Sequence, residues 1–399
     1  MFNASKYPVA YEGSVKKIRT VKTATASRPG VYLFEYTDNY SVFDYGKMPD
    51  RLRHKGAAMA VLSAWLFERL EEPRNWRKLG KSDVWDVIRD PDLRDGLIGS
   101  KTFREMKRAG MKTHYRGLRD RNGRLLRTDA LIEPTNLMEV TGVEIVPPER
   151  TVLSGKILWN YNHIHGGLKH CLIPLENVFR FGVPKGSSLL ERMNDDPGYH
   201  KELGLMRKPR EGAMLPRPVV ELFSKLEPSD RHLPLETALN FSGLDNESFH
   251  SLLERTLLAA VFLMYAFSQA GIRLWDGKFE FVRSPEGIVL ADAITPDELR
   301  LTVKGVQISK EPIRQYYRRY RAPFVKAVTE AKKIAAKTNR KISNIVKTDL
   351  GSPPAKMEAE FKKVMEAMYT GVTAEVTGLD VFGPVEPLSR TIKVISRFV

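Results

Sequence analysis

Charged side chains on one predicted β-hairpin form the part of this sequence best suited to chemistry. Asp276, Lys278 and Glu280 alternate along the first strand, so their side chains lie on one face. Asp292 lies on the partner strand. Acid, base and acid on one strand face are unfavourable to bury unless something compensates their charge. A Mg²⁺ ion with nucleotide phosphates is one compensator, and an exposed ionic ladder at a sheet edge is the alternative; these residues alone leave both open.

The hairpin itself is predicted from two β-rich segments, 273–282 and 287–293, joined by a turn of Ser, Pro and Gly residues. On the first strand, Phe279 and Phe281 alternate with the charged residues. We therefore expect these two rings to point away from the charges and into a core.

A glycine turn leads into a basic strand near the start of the chain, at residues 13–19. Such a turn can place backbone amides and a lysine against nucleotide phosphates, with Gly13 and Lys16 as the candidates. The segment is not a Walker loop, and the chain contains no GxGxxG pattern. The motif by itself is weak.

A second candidate anion site is the segment RFGVPKGSSLLER, residues 180–192. Ser187 precedes an apolar helical pattern and is a candidate N-cap. A helix N-terminus flanked by Arg180 and Lys185 suits a phosphate monoester, and an ordinary helix cap is the alternative.

Three histidines, His163, His165 and His170, lie in or near the segment 161–167. No neighbouring Cys or acidic residue completes a familiar zinc spacing, so a polar loop is the favoured interpretation.

The chain is strongly basic: 64 Lys and Arg face 48 Asp and Glu, a formal charge of +16. Such a balance favours polyanionic partners without choosing among nucleotides, phosphorylated metabolites and nucleic acids. Residues 101–127 carry ten Lys or Arg and two acids. They are predicted to be a solvated surface segment or an electrostatic funnel for phosphates.

The compartment is predicted from cysteine usage and hydropathy. Cys171 is the single cysteine of the sequence, so no intramolecular disulfide forms, and a reducing cytoplasmic setting is expected. The first residues lack the apolar stretch of a signal peptide, and the most apolar helical stretch, 257–266, is too short to cross a bilayer. We expect no membrane partner.

Periodicity predicts alternating helices and strands over most of the chain. Predicted strands lie at 31–36, 137–140, 143–146, 172–180 and 390–399, together with the hairpin. Predicted helices lie at about 55–70, 246–269, 312–338 and 355–369, with a hinge at 349–354.

Short motifs in a fixed order resemble the SAICAR synthetase family over about residues 11–70 and 131–320. They are YEGSVKKIR (11–19), NYSVFDYG (39–46), Lys55-Gly56, IPLENVFRFGVPKGSSLLER (173–192), SKLE (224–227), DGKFEF (276–281), Asp292 and PDELR (296–300). The chain departs from the family pattern at Ser14, Ala293, Glu298 and Leu299, and the spacing from Arg180 to Ser187 is one residue longer.

The resemblance implies roles for individual residues. Glu280 and Asp292 would hold Mg²⁺; Gly13, Lys16 and Lys278 would contact ATP phosphates; adenine would lie near Met138, Glu139 and Val140; Arg180, Ser187, Arg300, Lys225 and Asp297 would bind the substrate; and Lys278 and Asp276 are the candidate catalytic residues.

The reaction that the resemblance implies joins aspartate to carboxyaminoimidazole ribonucleotide through an acyl phosphate, with ATP, in purine biosynthesis. The departures leave open a related ligase with another amine or azole carboxylate. A basic nucleic-acid-binding protein is a further alternative, which does not explain the hairpin charges. A kinase-like enzyme is disfavoured because no HRD or DFG element is recognisable.

The expected fold is α+β, with a small antiparallel β lobe covering ATP and a larger α/β lobe carrying the metal and substrate residues. The predicted division is 1–147 with a basic insertion at about 72–130, then 148–320, then a helical C-terminal extension at 321–399. A homo-oligomer is left open.

Overall fold

The computed structural model describes residues 2–165, 169–227, 230–338 and 340–399. Among these, six antiparallel strands form a first sheet, in the spatial order β1-β2-β3-β6-β4-β5. Its strands are β1 (Val9–Glu12), β2 (Lys16–Lys22), β3 (Gly30–Tyr36), β4 (Tyr115–Arg119), β5 (Leu125–Leu126) and β6 (Leu137–Gly142).

A separate two-stranded hairpin, β7 (Glu149–Leu153) and β8 (Lys156–Asn160), follows the first sheet. A second antiparallel sheet has the described order β11-β10-β9-β12-β14-β15, with β13 paired to β12. Its strands are β9 (Cys171–Gly182), β10 (Met214–Ser224), β11 (His232–Leu233), β12 (Arg273–Ser284), β13 (Gly287–Ala291), β14 (Leu299–Val303) and β15 (Val306–Gln307). The mixed α+β class with antiparallel sheets is confirmed.

Helices connect and cover the two sheets. They are α1 (Lys55–Glu71), α2 (Pro73–Leu79), α3 (Pro91–Gly99), α4 (Lys101–Ala109), α5 (Ser188–Asp195), α6 (Tyr199–Glu202), α7 (Leu235–Ser242), α8 (Asn246–Ser268), α9 (Glu311–Tyr320), α10 (Ala322–Thr338), α11 (Ile342–Thr348), α12 (Ala359–Thr377) and α13 (Leu388–Phe398). Short 3₁₀ turns lie at Ala4–Lys6, Asp83–Val87, Thr128–Ala130 and Asn162–His165.

The predicted hairpin is confirmed as β12 and β13, at the centre of the second sheet. Phe279 and Phe281 are buried in the core, as their alternation predicts. Helix α8 packs across β9, β10 and β12 and covers that apolar face. The apolar side of β12 is thereby fixed against the core, and its charged residues are held on the opposite side.

The sequence predicts that the apolar stretch 257–266 is too short to cross a bilayer, but helix α8 extends beyond this stretch. Among the described helices, α8 is the one that is long and apolar enough to cross a membrane. In the structure, 61% of its most apolar window is buried inside the protein. Burial to this extent is typical of a helix in the core of a protein.

Two helical predictions need correction in their bounds. The single helix predicted over 312–338 is two, α9 and α10, with a break at Arg321. The physical reason is Pro323, which has no amide hydrogen and whose ring clashes with the carbonyl four residues earlier. The helix predicted at 355–369 begins later, at Ala359, and continues to Thr377.

The strand predicted at 390–399 is wrong, because the segment is helix α13. Its β-branched residues favour a strand, but its buried residues repeat at helical spacing. They are Leu388, Thr391, Ile392, Ile395 and Phe398. Tertiary packing therefore overrides propensity here.

The strand predicted at 143–146 is also wrong, because β6 ends at Gly142. Pro147 and Pro148 follow this segment, and neither can donate a ladder hydrogen bond.

Part of the basic segment 72–130 belongs to the body of the protein, since β4 and β5 lie in the first sheet. Helices α2 and α4 bury Trp76 and Phe103 against each other at 6.3 Å between ring centroids. Several cations have acidic partners: Arg116 and Arg119 both pair with Glu139. The segment is thus more than a solvated surface, and its role as a funnel stays a prediction.

The residues just before β4 join the two sheets. The amide of Leu290 donates to the carbonyl of Lys112 (2.9 Å), and the amide of His114 donates to the carbonyl of Leu290 (2.9 Å). On the other side, the amide of Thr141 donates to the carbonyl of His114 (2.7 Å). We call residues 112–114 the bridging segment.

The predicted domain division at 147/148 and 320/321 stays a prediction. The described strands of the first sheet end at Gly142, and those of the second run from Cys171 to Gln307. One apolar cluster contains buried residues of both sheets and of α12 and α13.

Candidate active site

The charged side of the hairpin is the centre of the candidate site. Side chains from five segments of the chain meet there, and we call them the charge cluster. Its members are Lys16, Glu176, Lys225, Lys278, Glu280, Asp292 and Glu298.

Lys278 is the most connected member of the charge cluster. Its Nζ lies 2.7 Å from Glu176 Oε1, 3.4 Å from Glu298 Oε2 and 3.8 Å from Glu280 Oε1. Lys225 lies beside it, with its Nζ 2.6 Å from Glu176 Oε1 and 2.9 Å from Glu280 Oε1. Two lysines therefore share two carboxylates on neighbouring strands β9 and β12.

Lys16 reaches the charge cluster from the first sheet. Its Nζ donates to Asp292 Oδ1 and lies 4.1 Å from the centroid of the Phe34 ring. Asp292 has a left-handed backbone, with φ of 61°. Because this conformation is costly for a residue with a Cβ and concentrates at functional sites, it supports a functional role for Asp292.

The two candidate metal carboxylates have opposite pKa shifts. Burial, reinforced by the charge of Asp292, raises the pKa of Glu280. Burial opposes ionisation of Asp292 as well, but Lys16 and Lys278 hold its pKa well below the usual range. Asp292 thus stays ionised, whereas the charged form of Glu280 is disfavoured.

A second group of ionic contacts lies two residues along β12, at Asp276. Arg180 Nη1 is 2.8 Å and Arg300 Nη1 is 3.4 Å from Asp276 Oδ2. Arg300 Nη2 also donates to the carbonyl of Gly186 (3.4 Å), in the loop before α5. Ser187 caps α5 by accepting from the amide of Leu189, so the predicted cap is confirmed.

The predicted residues Arg180, Asp276, Ser187 and Arg300 therefore come together. We call them the anion group. Arg180 is buried, and its Nε donates to Glu221 of β10. Burial opposes its charge, but Glu221 and Asp276 raise its pKa, so the guanidinium stays charged.

A cavity of about 450 Å³ lies between the two sheets. The first-sheet side contributes Pro29, His114, Thr141 and Val143, and the hairpin contributes Val282 and Val289. His170 also lines this space. The cavity combines apolar walls with a few polar groups, which is the usual character of a small-molecule site.

Three predicted site residues lie elsewhere. Met138 is buried in the core, in a strand that has neighbours on both sides. Glu139 pairs with arginines on β4. Asp297 is buried beside Lys55, with Asp297 Oδ2 2.8 Å from Lys55 Nζ. Their ligand-binding roles stay predictions.

Gly13 lies at the turn into β2, where its amide donates to the carbonyl of Lys16 (2.9 Å). An added Cβ would lie 3.3 Å from that carbonyl oxygen and 3.2 Å from the ring of Tyr11. The turn is therefore tight and places Gly13 next to the lysine that reaches Asp292.

The histidine segment is described in part. His163 and His165 lie in the 3₁₀ turn Asn162–His165, whereas Gly166 and Gly167 lie outside the described residues. Within the ranges that the structure describes, no group of three or more His, Cys, Asp and Glu is placed to hold a metal ion.

Comparison with known proteins matches residues 9–85 and 97–333 to the family model for SAICAR synthetase. A protein of Archaeoglobus fulgidus, provisionally named a phosphoribosylaminoimidazole-succinocarboxamide synthase, is 33% identical over 309 residues, which is 77% of this chain and 79% of that one. The chain belongs to the SAICAR synthetase family. Members of this family are ATP-dependent ligases of purine biosynthesis.

Other SAICAR synthetases match over shorter stretches or by fold. The enzyme of Thermoplasma acidophilum is 33% identical over 156 residues, 37% of this chain and 52% of its own length. A solved SAICAR synthase superimposes with a TM-score of 0.54 at 18% identity, covering 94% of this chain and 95% of its own. The Saccharomyces cerevisiae enzyme, solved in complex with SAICAR, gives 0.50 at 20% identity, with 94% and 95% covered. These structures share the fold.

Three carboxylates of the candidate site were not predicted as site residues from the sequence. Glu176 and Glu221 lie in strands with apolar neighbours, and an acid inside such a strand was the available signal. Glu298 was noted as a departure from the family pattern, and the structure places it against Lys278.

Proposed function

We propose that this SAICAR synthetase family member joins the amine of aspartate to the carboxylate of carboxyaminoimidazole ribonucleotide, with ATP and Mg²⁺ as the energy source. The observation that carries the proposal is the arrangement along β12. This strand contributes Asp276 to the anion group and both Lys278 and Glu280 to the charge cluster. A phosphorylated substrate at the anion group and a nucleoside triphosphate at the charge cluster can therefore be held side by side.

The nucleotide is proposed to occupy the cavity between the two sheets, with its phosphates toward Lys16 and Lys278. The volume, about 450 Å³, is within the range of ligand sites. Thr141, near the end of β6, and Val143, just after it, line the cavity; adenine is predicted near Met138 and Glu139 of the same strand. Lys16 belongs to the first sheet and Lys278 to the second, so the phosphates would lie where the sheets meet.

Glu280 and Asp292 are the residues proposed to hold Mg²⁺. The chemistry of this pair fits the ion, because two neighbouring carboxylates offer oxygen ligands, and burial together with the charge of Asp292 raises the pKa of Glu280. Magnesium typically takes one or two carboxylates and completes its shell with water and phosphate oxygens. When bound, it would neutralise charge on the transferred phosphoryl group.

The chemistry begins with a carboxylate, which does not react with an amine in water. An oxygen of the azole carboxylate attacks the γ-phosphorus and ADP leaves, giving an acyl phosphate. The aspartate nitrogen then attacks the acyl carbon, phosphate leaves, and the nitrogen loses a proton. Lys278 and Lys225 would supply fixed positive charge to the phosphoryl oxygens, and Asp276 would hold Arg180 and Arg300 in place.

The substrate phosphate is proposed to bind the anion group. Ser187 is the N-cap of helix α5, and the helix dipole favours an anion at this end. Arg300 reaches the loop before this helix, and Arg180 stays charged. Lys225 and Asp297 stay predicted substrate contacts. A cytoplasmic location is proposed with this metabolic role, and the oligomeric state is left open.

A different amine or azole carboxylate is the second candidate, and Glu298 favours it. A glutamate at a position where the family pattern has serine adds negative charge 3.4 Å from Lys278. An acidic amine such as aspartate would be repelled there more than a neutral one.

The test is phosphate release from Mg-ATP with carboxyaminoimidazole ribonucleotide, with and without aspartate. We expect aspartate-dependent turnover that is lost in Glu280→Gln and kept in Glu236→Gln, a matched change at an exposed position of α7. Turnover with another amine or azole acid would select the second candidate. No turnover with any of them, in folded protein that fails to bind ATP, would refute both.

A further inference from the structure

The loop between β13 and β14, residues 292–298, holds two members of the charge cluster at its ends. Asp292 begins it and pairs with Lys16, and Glu298 ends it beside Lys278. The position of this loop therefore sets the position of both carboxylates.

The loop is anchored through Asp297, whose two carboxylate oxygens have different partners. Lys55 Nζ lies 2.8 Å from Oδ2, and Tyr369 Oη donates to Oδ1 at 2.6 Å. Lys55 is fully buried and also lies 5.0 Å from the centroid of the Tyr369 ring. The three side chains form a closed, buried unit. A second contact, from the amide of Ile294 to Ser63 Oγ (3.1 Å), holds the loop to α1.

Tyr369 belongs to α12, in the C-terminal extension. The match to the family model ends at residue 333, so this contact lies outside it. Helix α12 is itself fixed to α1, because Thr373 Oγ1 donates to the carbonyl of Ala58 (3.0 Å). The extension thus reaches the loop 292–298 through the Tyr369 hydroxyl, on a helix that is held to α1.

We propose that Tyr369 is a positioning residue, which acts through Asp297 to hold the loop 292–298 and so places Asp292 and Glu298 for the ligase reaction. This inference rests on the proposed function. It gives the extension a part in catalysis that is separate from packing, because a buried hydroxyl–carboxylate bond fixes an angle as well as a distance.

The experiment compares Tyr369→Phe with Tyr316→Phe in the full chain. Tyr316 is a matched control, since its hydroxyl also meets a residue of the extension, Glu358, and among the described residues it forms no hydrogen bond with the loop. Hydrogen exchange of the peptide 292–300 and steady-state kinetics are measured for both. In Tyr369→Phe we expect about tenfold faster exchange and about a tenfold lower kcat, with KM for Mg-ATP changing less. Tyr316→Phe should change neither.

A double variant tests the route through Asp297. Tyr369→Phe should add no further loss of kcat, and no faster exchange, in an Asp297→Asn background. Unchanged exchange in Tyr369→Phe, an equal rise in both tyrosine variants, or fully additive losses would overturn the proposal. Exchange is measured without substrates, so a failure of wild-type turnover would count against the proposed function alone.

Discussion

The ammonium group of Lys278 lies near three carboxylates: Glu176 on β9, Glu280 on β12 and Glu298 just before β14. Burial opposes its charge, but Glu298, Glu280 and Glu176 raise its pKa. It therefore stays protonated across the physiological range and acts as a fixed positive charge, not as a proton acceptor. This fits a role toward phosphoryl oxygens, where the need is charge that does not move.

Replacing Lys278 by Met should lower kcat by a factor of about 100 or more, because positive charge at the transferred group is lost. The change also leaves Glu176 and Glu298 with one cation fewer, so thermal stability should fall as well. Lys304→Met, at an exposed turn of the same sheet, is the control. Equal kcat in both variants, measured by phosphate release, would contradict the role of Lys278.

Glu298→Ser restores the residue type of the family pattern and removes one carboxylate from beside Lys278. An added charge a few ångströms away in a partly exposed site is worth on the order of 1 kcal/mol, or about a fivefold effect. We therefore expect KM for aspartate to fall by about that factor, while KM for a neutral amine such as alaninamide stays the same. A change that is equal for both amines would mean that Glu298 does not select charge.

The candidate site could be predicted from sequence where its residues are neighbours on one strand. Asp276, Lys278 and Glu280 were found by alternation alone. Glu176 and Glu221 were not, because pairing across strands depends on register, which one sequence does not reveal.

At the scale of single elements, helix α5 combines a cap with the proposed phosphate site. Ser187→Ala should cost about 1 kcal/mol of stability, as for any lost cap, and should also raise KM for the ribonucleotide. Ser100 is a matched control: it caps α4 through the amide of Phe103 and has no part in the anion group. Ser100→Ala should lose similar stability with KM unchanged. If both variants leave KM unchanged, Ser187 is a structural cap.

The elements themselves were mostly predictable, and the exceptions have physical causes. The hairpin and α1 follow from apolar periodicity. Helix α13 was mistaken for a strand because its β-branched residues outweighed its helical spacing. The break at Arg321 depended on one proline, which a long periodic pattern concealed.

At the scale of the whole molecule, the buried pair of Lys55 and Asp297 holds the loop 292–298 to α1, and Tyr369 joins this pair from the extension. Burial opposes ionisation of Asp297, but Lys55, Lys310 and the Tyr369 hydroxyl hold its pKa below the ordinary value for an aspartate. A lowered folded-state pKa contributes stability that is complete above the unfolded value. That stability is lost as pH falls through the folded value.

Asp297→Asn should therefore destabilise the protein by about 3–5 kcal/mol at pH 7, because Lys55 is left buried without its partner. The gap in Tm between wild type and variant should begin to narrow as pH falls below about 4, where the carboxylate of the unfolded chain takes up a proton, and should close further as pH falls through the lowered folded-state pKa. Melting curves at several pH values measure this. A gap that stays constant down to pH 2.5 would show that the pair does not stabilise the fold by its charge.

The bridging segment, residues 112–114, couples the unfolding of the two sheets. The backbone of this segment is bonded to Leu290 in the second sheet and to Thr141 in the first. Unfolding of either sheet would therefore leave backbone groups of the other without their hydrogen-bond partners. Heating should then produce one calorimetric peak, with equal calorimetric and van't Hoff enthalpies. Lys112→Pro and Thr113→Pro leave in place the amides of Leu290, His114 and Thr141, which donate the three backbone bonds. His114→Pro removes the amide that donates to Leu290, and it should split that peak in two.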